Sequence, residues 1–153
     1  MISYSNWSFY SGRLLTAPEE SLPQTDLSTL DADSAADAQE AISGTLARPI
    51  SFHFLRHGCY EARRNRHEAE YIAELVRSLL QQADGLTIGI VAFSEAQQEE
   101  IEASLHRLAK RDPEFQEALE KELDREDEGQ FCGLLVKNLE NIQGDERDIV
   151  IMS

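Results

Sequence analysis

Four short stretches hold residue types whose spacing could support chemistry. Gln143-Gly144-Asp145-Glu146 makes a polar turn within Leu139–Asp148 and runs directly into the apolar Ile149-Val150-Ile151-Met152. By itself the turn reads as a solvated connection whose glycine takes a positive φ. His53, His57 and Cys59, with His67 further on, are residue types that bind zinc, and strand alternation would put His53 and His57 on one side. Packed or solvated histidines are the simpler account of that group. Asp127-Glu128-Gly129-Gln130 imitates the magnesium-binding acids of nucleotide hydrolases. It follows Leu123-Asp124-Arg125-Glu126 rather than an apolar strand, so it reads as a solvated acidic turn. Arg56, Arg63, Arg64 and Arg66 form a basic group, either a solvated loop or a phosphate contact. A phosphate-cradling loop is missing, because none of the 8 glycines is followed by lysine.

The charge balance narrows the choice. With 29 acids against 14 bases and a net charge of −15, the chain lacks the broad basic face of a free-standing nucleic-acid binder. Any such contact has to come from a local patch with help from elsewhere. The 153 residues, 41% apolar, suffice for one domain with a real core. No apolar run is long enough to cross a bilayer, and no basic segment followed by an apolar stretch opens the chain. Cys59 and Cys132 lie far apart and read as reduced thiols of a cytoplasmic protein. Because the sequence stops on an apolar strand, it reads as a piece of something larger.

The elements that would position these residues alternate. Aromatics in residues 1–18 (Tyr4, Trp7, Phe9, Tyr10) suggest a short helix or turn packed on the core. Residues 19–47, rich in Pro, Ser, Thr, Asp and Ala without periodicity, read as an acidic mobile loop or insertion. Pro49 to Arg56 reads as a strand near a sheet edge. Asn65 and Glu68 suggest a capping box for a helix carrying Ala69, Ile72, Ala73, Val76, Leu79, Leu80 and Ala83 to Asp84-Gly85. Thr87 to Phe93 is a continuous apolar run, expected of a strand covered on both faces. Ser94 and Gln97 suggest a second capping box, before a helix burying Ile101, Leu105, Leu108 and Ala109. Asp112-Pro113 starts a third helix. Phe131 to Lys137 and Asp148 to Met152 complete the strands. This order predicts an α/β fold with a mostly parallel sheet, and ligands beyond the carboxyl ends of its strands.

Four stretches resemble superfamily 1 helicases, in that family's order. Val136 to Ser153 resembles motif V. Ile2-Ser3-Tyr4-Ser5-Asn6 with Phe9-Tyr10-Ser11-Gly12-Arg13-Leu14 resembles the segment after motif IV. Asn65-Arg66-His67-Glu68-Ala69-Glu70 is similar to the start of a helix in the second motor domain. Thr87 to Gln97 is similar to a strand-turn-helix ending in Tyr-x-x-Gln. The likeness is greatest to the branch with the nonsense-mediated-decay helicase and large bacterial helicase-related proteins. It implies that residues 1–153 are a fragment of the second, C-terminal RecA-like domain: a P-loop NTPase-like three-layer sandwich, incomplete at its C-terminus.

The resemblance also implies roles. Gln143, Gly144 and Glu146 would bind nucleotide: Gly144 by letting backbone approach phosphate, Glu146 by accepting from a ribose hydroxyl, Gln143 by tying the loop to the partner domain or nucleotide. Ser94 and Asn138 would meet a single strand of DNA or RNA. Asn138 stands where the family usually has threonine, and Phe93-Ser94 replaces a Pro-Tyr pair. ATP and Mg would be held mainly by a first RecA-like domain in cis, with no metal site and no membrane contact in this chain. The arginines of motifs IV and VI would lie before Ile2 and after Ser153. The chain alone is thus expected to be inactive, although part of an ATP-dependent helicase. Two rivals are a catalytically degenerate helicase-like scaffold that binds proteins and a stand-alone receiver domain, whose paired magnesium acids are missing here.

Overall fold

The computed structural model describes residues 29–31, 38, 46, 50–82 and 85–153. The expectations for residues 1–18, for most of 19–47 and for Ala83 and Asp84 lie outside those residues.

Caps decide where the helices begin. Helix α1 (Arg66–Gln82) starts where the Asn65 side-chain oxygen accepts the Glu68 N–H at 3.3 Å. The Glu68 carboxylate reaches back to the Asn65 side-chain amide at 3.1 Å, not to its backbone N–H as a capping box requires. That N–H is taken by the Gln97 side chain at 2.6 Å. Ala69, Ile72, Ala73, Val76 and Leu79 of the expected stripe are buried and Leu80 is half-buried, while Tyr71 and Leu75 widen the buried face. Helix α2 (Glu95–Ala109) begins at Ser94, whose hydroxyl accepts the Gln97 N–H at 3.1 Å. Helix α3 (Pro113–Leu123) begins at Asp112, whose carboxylate accepts the Phe115 N–H at 3.1 Å, with proline in the first turn.

Among the described residues, five strands precede the main sheet's last two members. Strands β1 (Thr29–Asp31) and β2 (Phe52–Phe54) pair in parallel, apart from the main sheet. The segment expected at a sheet edge is therefore extended, but its neighbour comes from within the stretch read as a loop. Strand β3 (Ile88–Ala92) is buried at every residue. Strands β4 (Glu126–Asp127) and β5 (Gln130–Phe131) form a small antiparallel hairpin. Strands β6 (Leu135–Asn138) and β7 (Ile149–Met152) flank β3 in parallel, in the order β6-β3-β7.

The expected strand from Phe131 to Lys137 is thus broken in two. The Leu134 N–H donates to the Glu122 carbonyl at 3.2 Å and the Cys132 N–H to the Arg125 carbonyl at 3.0 Å. Cys132 and Leu134 therefore bond to the last turn of α3 and the residues just after it before the chain can join β3. On one sheet face Ile88, Ile90, Ala92, Val136, Ile149 and Ile151 meet the helices. Helix α2 lies directly on β3 and β6, and α1 and α3 pack against α2. Phe115, Leu79 and Ile101 are among the largest side chains fully buried there. Burial of each is worth about 1.5–3 kcal/mol.

Candidate functional site

Parallel pairing brings the carboxyl ends of β3, β6 and β7 to one edge. Ala92 aligns with Asn138 and Val91 with Met152, so Ser94, Asn138 and Ser153 come together there. The Phe93 N–H donates to the Ser153 carbonyl at 2.7 Å, and the Ser153 N–H to the Val91 carbonyl at 3.0 Å. The Asn138 side-chain oxygen accepts the Asn141 N–H at 3.2 Å and starts a single 3-10 turn, Leu139–Asn141. Its NH2 group has no partner among the described residues and remains a donor at this edge.

The chain then crosses back toward the start of β7. The Asp145 N–H bonds to the Ile142 carbonyl at 3.3 Å, closing a turn in which Gly144 takes φ +89. That conformation suits glycine, as the spacing predicts. The Asp145 carboxylate pairs with Lys137 of β6 at 2.7 Å, fixing one side of the turn. On the other side Arg147 lies down on the sheet. Its Nε donates to the Gly133 carbonyl at 3.0 Å, and its guanidinium sits 5.5 Å from the Phe131 ring centre. A Cβ on Gly89 would come within 3.1 Å of the Arg147 side chain, so glycine in β3 admits this close approach on the sheet face opposite Ile88 and Ile90.

Asp148 completes the crossing. Its carboxylate accepts both the backbone N–H and the hydroxyl of Thr87 at 2.8 Å, and its own N–H donates to that hydroxyl at 2.9 Å. The Thr87 N–H, foremost, holds the Asp148 carboxyl below the usual carboxylate range. Gln143, Gly144 and Glu146 are exposed between these anchors, and the side chains of Gln143 and Glu146 have no partner among the described residues.

Ser94 is nearly buried, at 7% exposure. Its hydroxyl caps α2 and also donates to the Arg63 carbonyl at 2.5 Å, so both of its hydrogen-bonding roles are used by the fold. Gln97 is a junction that the sequence reading missed by assigning it only to a capping box. Buried to 3% exposure, it accepts the Asn65 N–H at 2.6 Å and donates to the Asn65 carbonyl at 3.3 Å and the Ser153 hydroxyl at 2.9 Å. The available signal was its place at the end of the strand-turn-helix stretch.

The other chemical stretches do not join this edge. His53 bonds to the Tyr71 hydroxyl at 2.6 Å and the Ser51 hydroxyl at 3.1 Å, and burial lowers its pKa. His57 and His67 meet edge to face, with ring centres 6.3 Å apart. Among the described residues no three His, Cys, Asp or Glu side chains gather as a metal site, and Cys59 and Cys132 are free thiols. Asp127 to Gln130 is an exposed hairpin near the opposite edge, where Arg125 donates to the Gly85 carbonyl at 2.6 Å. Among the described residues, no helix is long and apolar enough to cross a membrane.

Helices stacked on a three-stranded parallel sheet, with polar turns at its carboxyl edge, define a RecA-like, P-loop NTPase-like α/β domain. The AAA domain family matches residues 1–153, and the chain belongs to that family, as a C-terminal motor domain of the superfamily 1 helicase type. A Mycoplasma pneumoniae protein named as an uncharacterized ATP-dependent helicase, an MG140 homolog, is 36% identical over 98 residues, covering 63% of this chain and 8% of that protein. MG140 of Mycoplasma genitalium, also named an uncharacterized ATP-dependent helicase, is 33% identical over 107 residues, covering 69% of the chain and 9% of that protein. The chain thus spans under a tenth of the length of these curated relatives. No solved structure matches it.

Proposed function

We propose that this chain supplies half of the nucleotide cleft and part of the single-strand track of an ATP-dependent superfamily 1 helicase. The branch would be the one resembling the nonsense-mediated-decay helicase. The observation that supports this best is the crossing from β6 to β7. Lys137–Asp145 and Thr87–Asp148 hold its second half, and Gln143, Gly144 and Glu146 stay exposed. A loop whose backbone is fixed by its neighbours can hold exposed side chains in place for a ligand.

In this reading a first RecA-like domain in cis holds ATP and Mg. Gly144 lets backbone near the phosphates, Glu146 accepts from a ribose hydroxyl and Gln143 ties the loop to the nucleotide or partner lobe. At the strand-end edge the Asn138 amide donates to a phosphate of a DNA or RNA strand, beside the Phe93-Ser94 corner. Closure on ATP and reopening after hydrolysis move the strand past Ser94 and Asn138. The chain has no glycine followed by lysine, and among the described residues no acid stands at the carboxyl edge to hold magnesium, so in this reading it does not hydrolyse ATP alone.

The test is phosphate release in the presence of single-stranded DNA or RNA, for the 153-residue chain and for the full-length protein. The expected result is turnover by the full-length protein only, abolished or strongly reduced by Glu146→Ala. Turnover by the isolated chain, or an unimpaired Glu146→Ala protein, would refute this assignment.

A further inference from the structure

The loop ahead of α1 contains backbone strain that the cleft does not explain. Two bonds close it, from the Glu61 N–H to the Arg64 carbonyl at 2.9 Å and from the Arg64 N–H to the Glu61 carbonyl at 3.1 Å. Between them Ala62 and Arg63 take φ +51 and +64. Two successive positive φ values make the mirror-image turn that ordinarily selects Asn-Gly or Asp-Gly. Residues with a Cβ are disfavoured in that conformation, and such strain persists only where surrounding structure enforces it.

That structure is the buried junction after β3. The Ser94 hydroxyl grips the Arg63 carbonyl, and Gln97 bonds both backbone groups of Asn65. The fold therefore clamps the turn on either side of Arg64. Charge separates the arginines. Arg64 pairs with Glu100 at 3.5 Å and Arg66 with Glu70 at 2.9 Å. Arg63 is exposed and has no ion pair among the described residues, on a chain of net charge −15. A strained backbone, two buried clamps and an uncompensated guanidinium meet at the corner that leads toward Asn138.

We propose that the 61–64 turn is a built arm whose Arg63 guanidinium binds a phosphodiester of the single strand running along the Ser94–Asn138 edge. This rests on the strand-track reading above and adds a contact to it. The guanidinium fork matches two phosphate oxygens, a geometry that lysine does not reproduce. Ser94, whose hydroxyl is spent within the fold, acts here as a positioning residue for that arm.

The experiment titrates a fluorescent oligothymidine into the full-length protein over a salt series, for wild type, Arg63→Gly, Arg63→Lys, Ala62→Asn and Asn138→Ala. Arg63→Gly relieves the left-handed residue and removes the charge together. It should raise the melting temperature, weaken strand binding about tenfold and lower the salt slope by about 0.7. Nucleotide affinity should not change. Arg63→Lys should keep the slope with weaker binding, and Ala62→Asn should raise the melting temperature with binding unaltered. A turn that only shapes the fold predicts a stabilised Arg63→Gly protein with unchanged affinity and slope, which overturns the proposal. If Asn138→Ala weakens binding while Arg63→Gly does not, this arm is wrong and the track stands; if neither variant weakens it, both are wrong. Loss of nucleotide affinity alone in Arg63→Gly would also overturn the proposal.

Discussion

Asp127-Glu128-Gly129-Gln130 and Gln143-Gly144-Asp145-Glu146 use the same four residue types, and each turns on a glycine of positive φ, +78 and +89. Their surroundings differ. The first closes a hairpin between antiparallel strands, in which Glu126 pairs with Phe131 and Asp127 with Gln130. Its turn residues Glu128 and Gly129 both adopt positive φ, as a two-residue hairpin requires. The second spans from the carboxyl end of one strand to the start of another parallel to the same neighbour. It must cross the sheet, and it is fastened to Lys137, Gly133 and Thr87 on the way. Similar composition therefore produces a solvated corner in one place and a held, open loop in the other. Sheet direction, more than residue type, distinguishes them.

The largest expected effect separates the two carboxylates. In the full-length protein Glu146→Ala should weaken nucleotide binding about 10- to 100-fold, the loss of a charged hydrogen bond worth about 1.5–3 kcal/mol. Glu128→Ala should leave it unchanged. Equal effects in a nucleotide titration would erase the distinction drawn here.

The glycines give a smaller contrast. Gly129→Ala and Gly144→Ala should each cost about 1–2 kcal/mol of stability, because both impose a left-handed conformation on a residue with a Cβ. Only Gly144→Ala should also impair nucleotide-driven turnover. Urea unfolding alongside turnover measures both, and a Gly129→Ala protein as impaired in turnover as Gly144→Ala would count against the assignment.

The smallest effect concerns pH. Asp148 has a folded carboxyl below its ordinary value of 3.8, chiefly through the Thr87 N–H. A depressed acid stabilises the fold above that ordinary value and loses the contribution as pH falls through the folded value. Asp148→Asn should therefore lower the urea midpoint near neutrality and flatten its decline below pH 3.8. Parallel declines in wild type and variant would show that the Thr87 clamp does not anchor the crossing.

Much of the scaffold could be read directly. The stripe on α1, the unbroken apolar run of β3 and the caps at Asn65, Ser94 and Asp112 are local signals, and the structure forms each of these elements. Reading stopped where a group had a choice of partners. Gln97 has the spacing of a capping residue, yet Asn65 and Ser153, distant in sequence, claim its side chain. Phe131 to Lys137 has the composition of one strand, yet the carbonyls of Glu122 and Arg125 claim its middle. Ser94 could cap or face a ligand, and its hydroxyl caps α2 while donating its hydrogen bond to the Arg63 carbonyl.

The amino-acid order by itself determined the alternation of helix and strand, the parallel sheet and the glycine-centred turn before β7, because periodicity, caps and positive-φ glycine act over a few residues. Only the tertiary structure decided that the crossing would be pinned at Lys137 and Thr87, that Gln97 would join three segments, and that Arg63 would be held at positive φ with no ion pair among the described residues. Those outcomes depend on which polar groups come within about 3 Å of each other once the sheet has formed, and hydrogen-bond geometry is too short-ranged to be encoded by spacing alone.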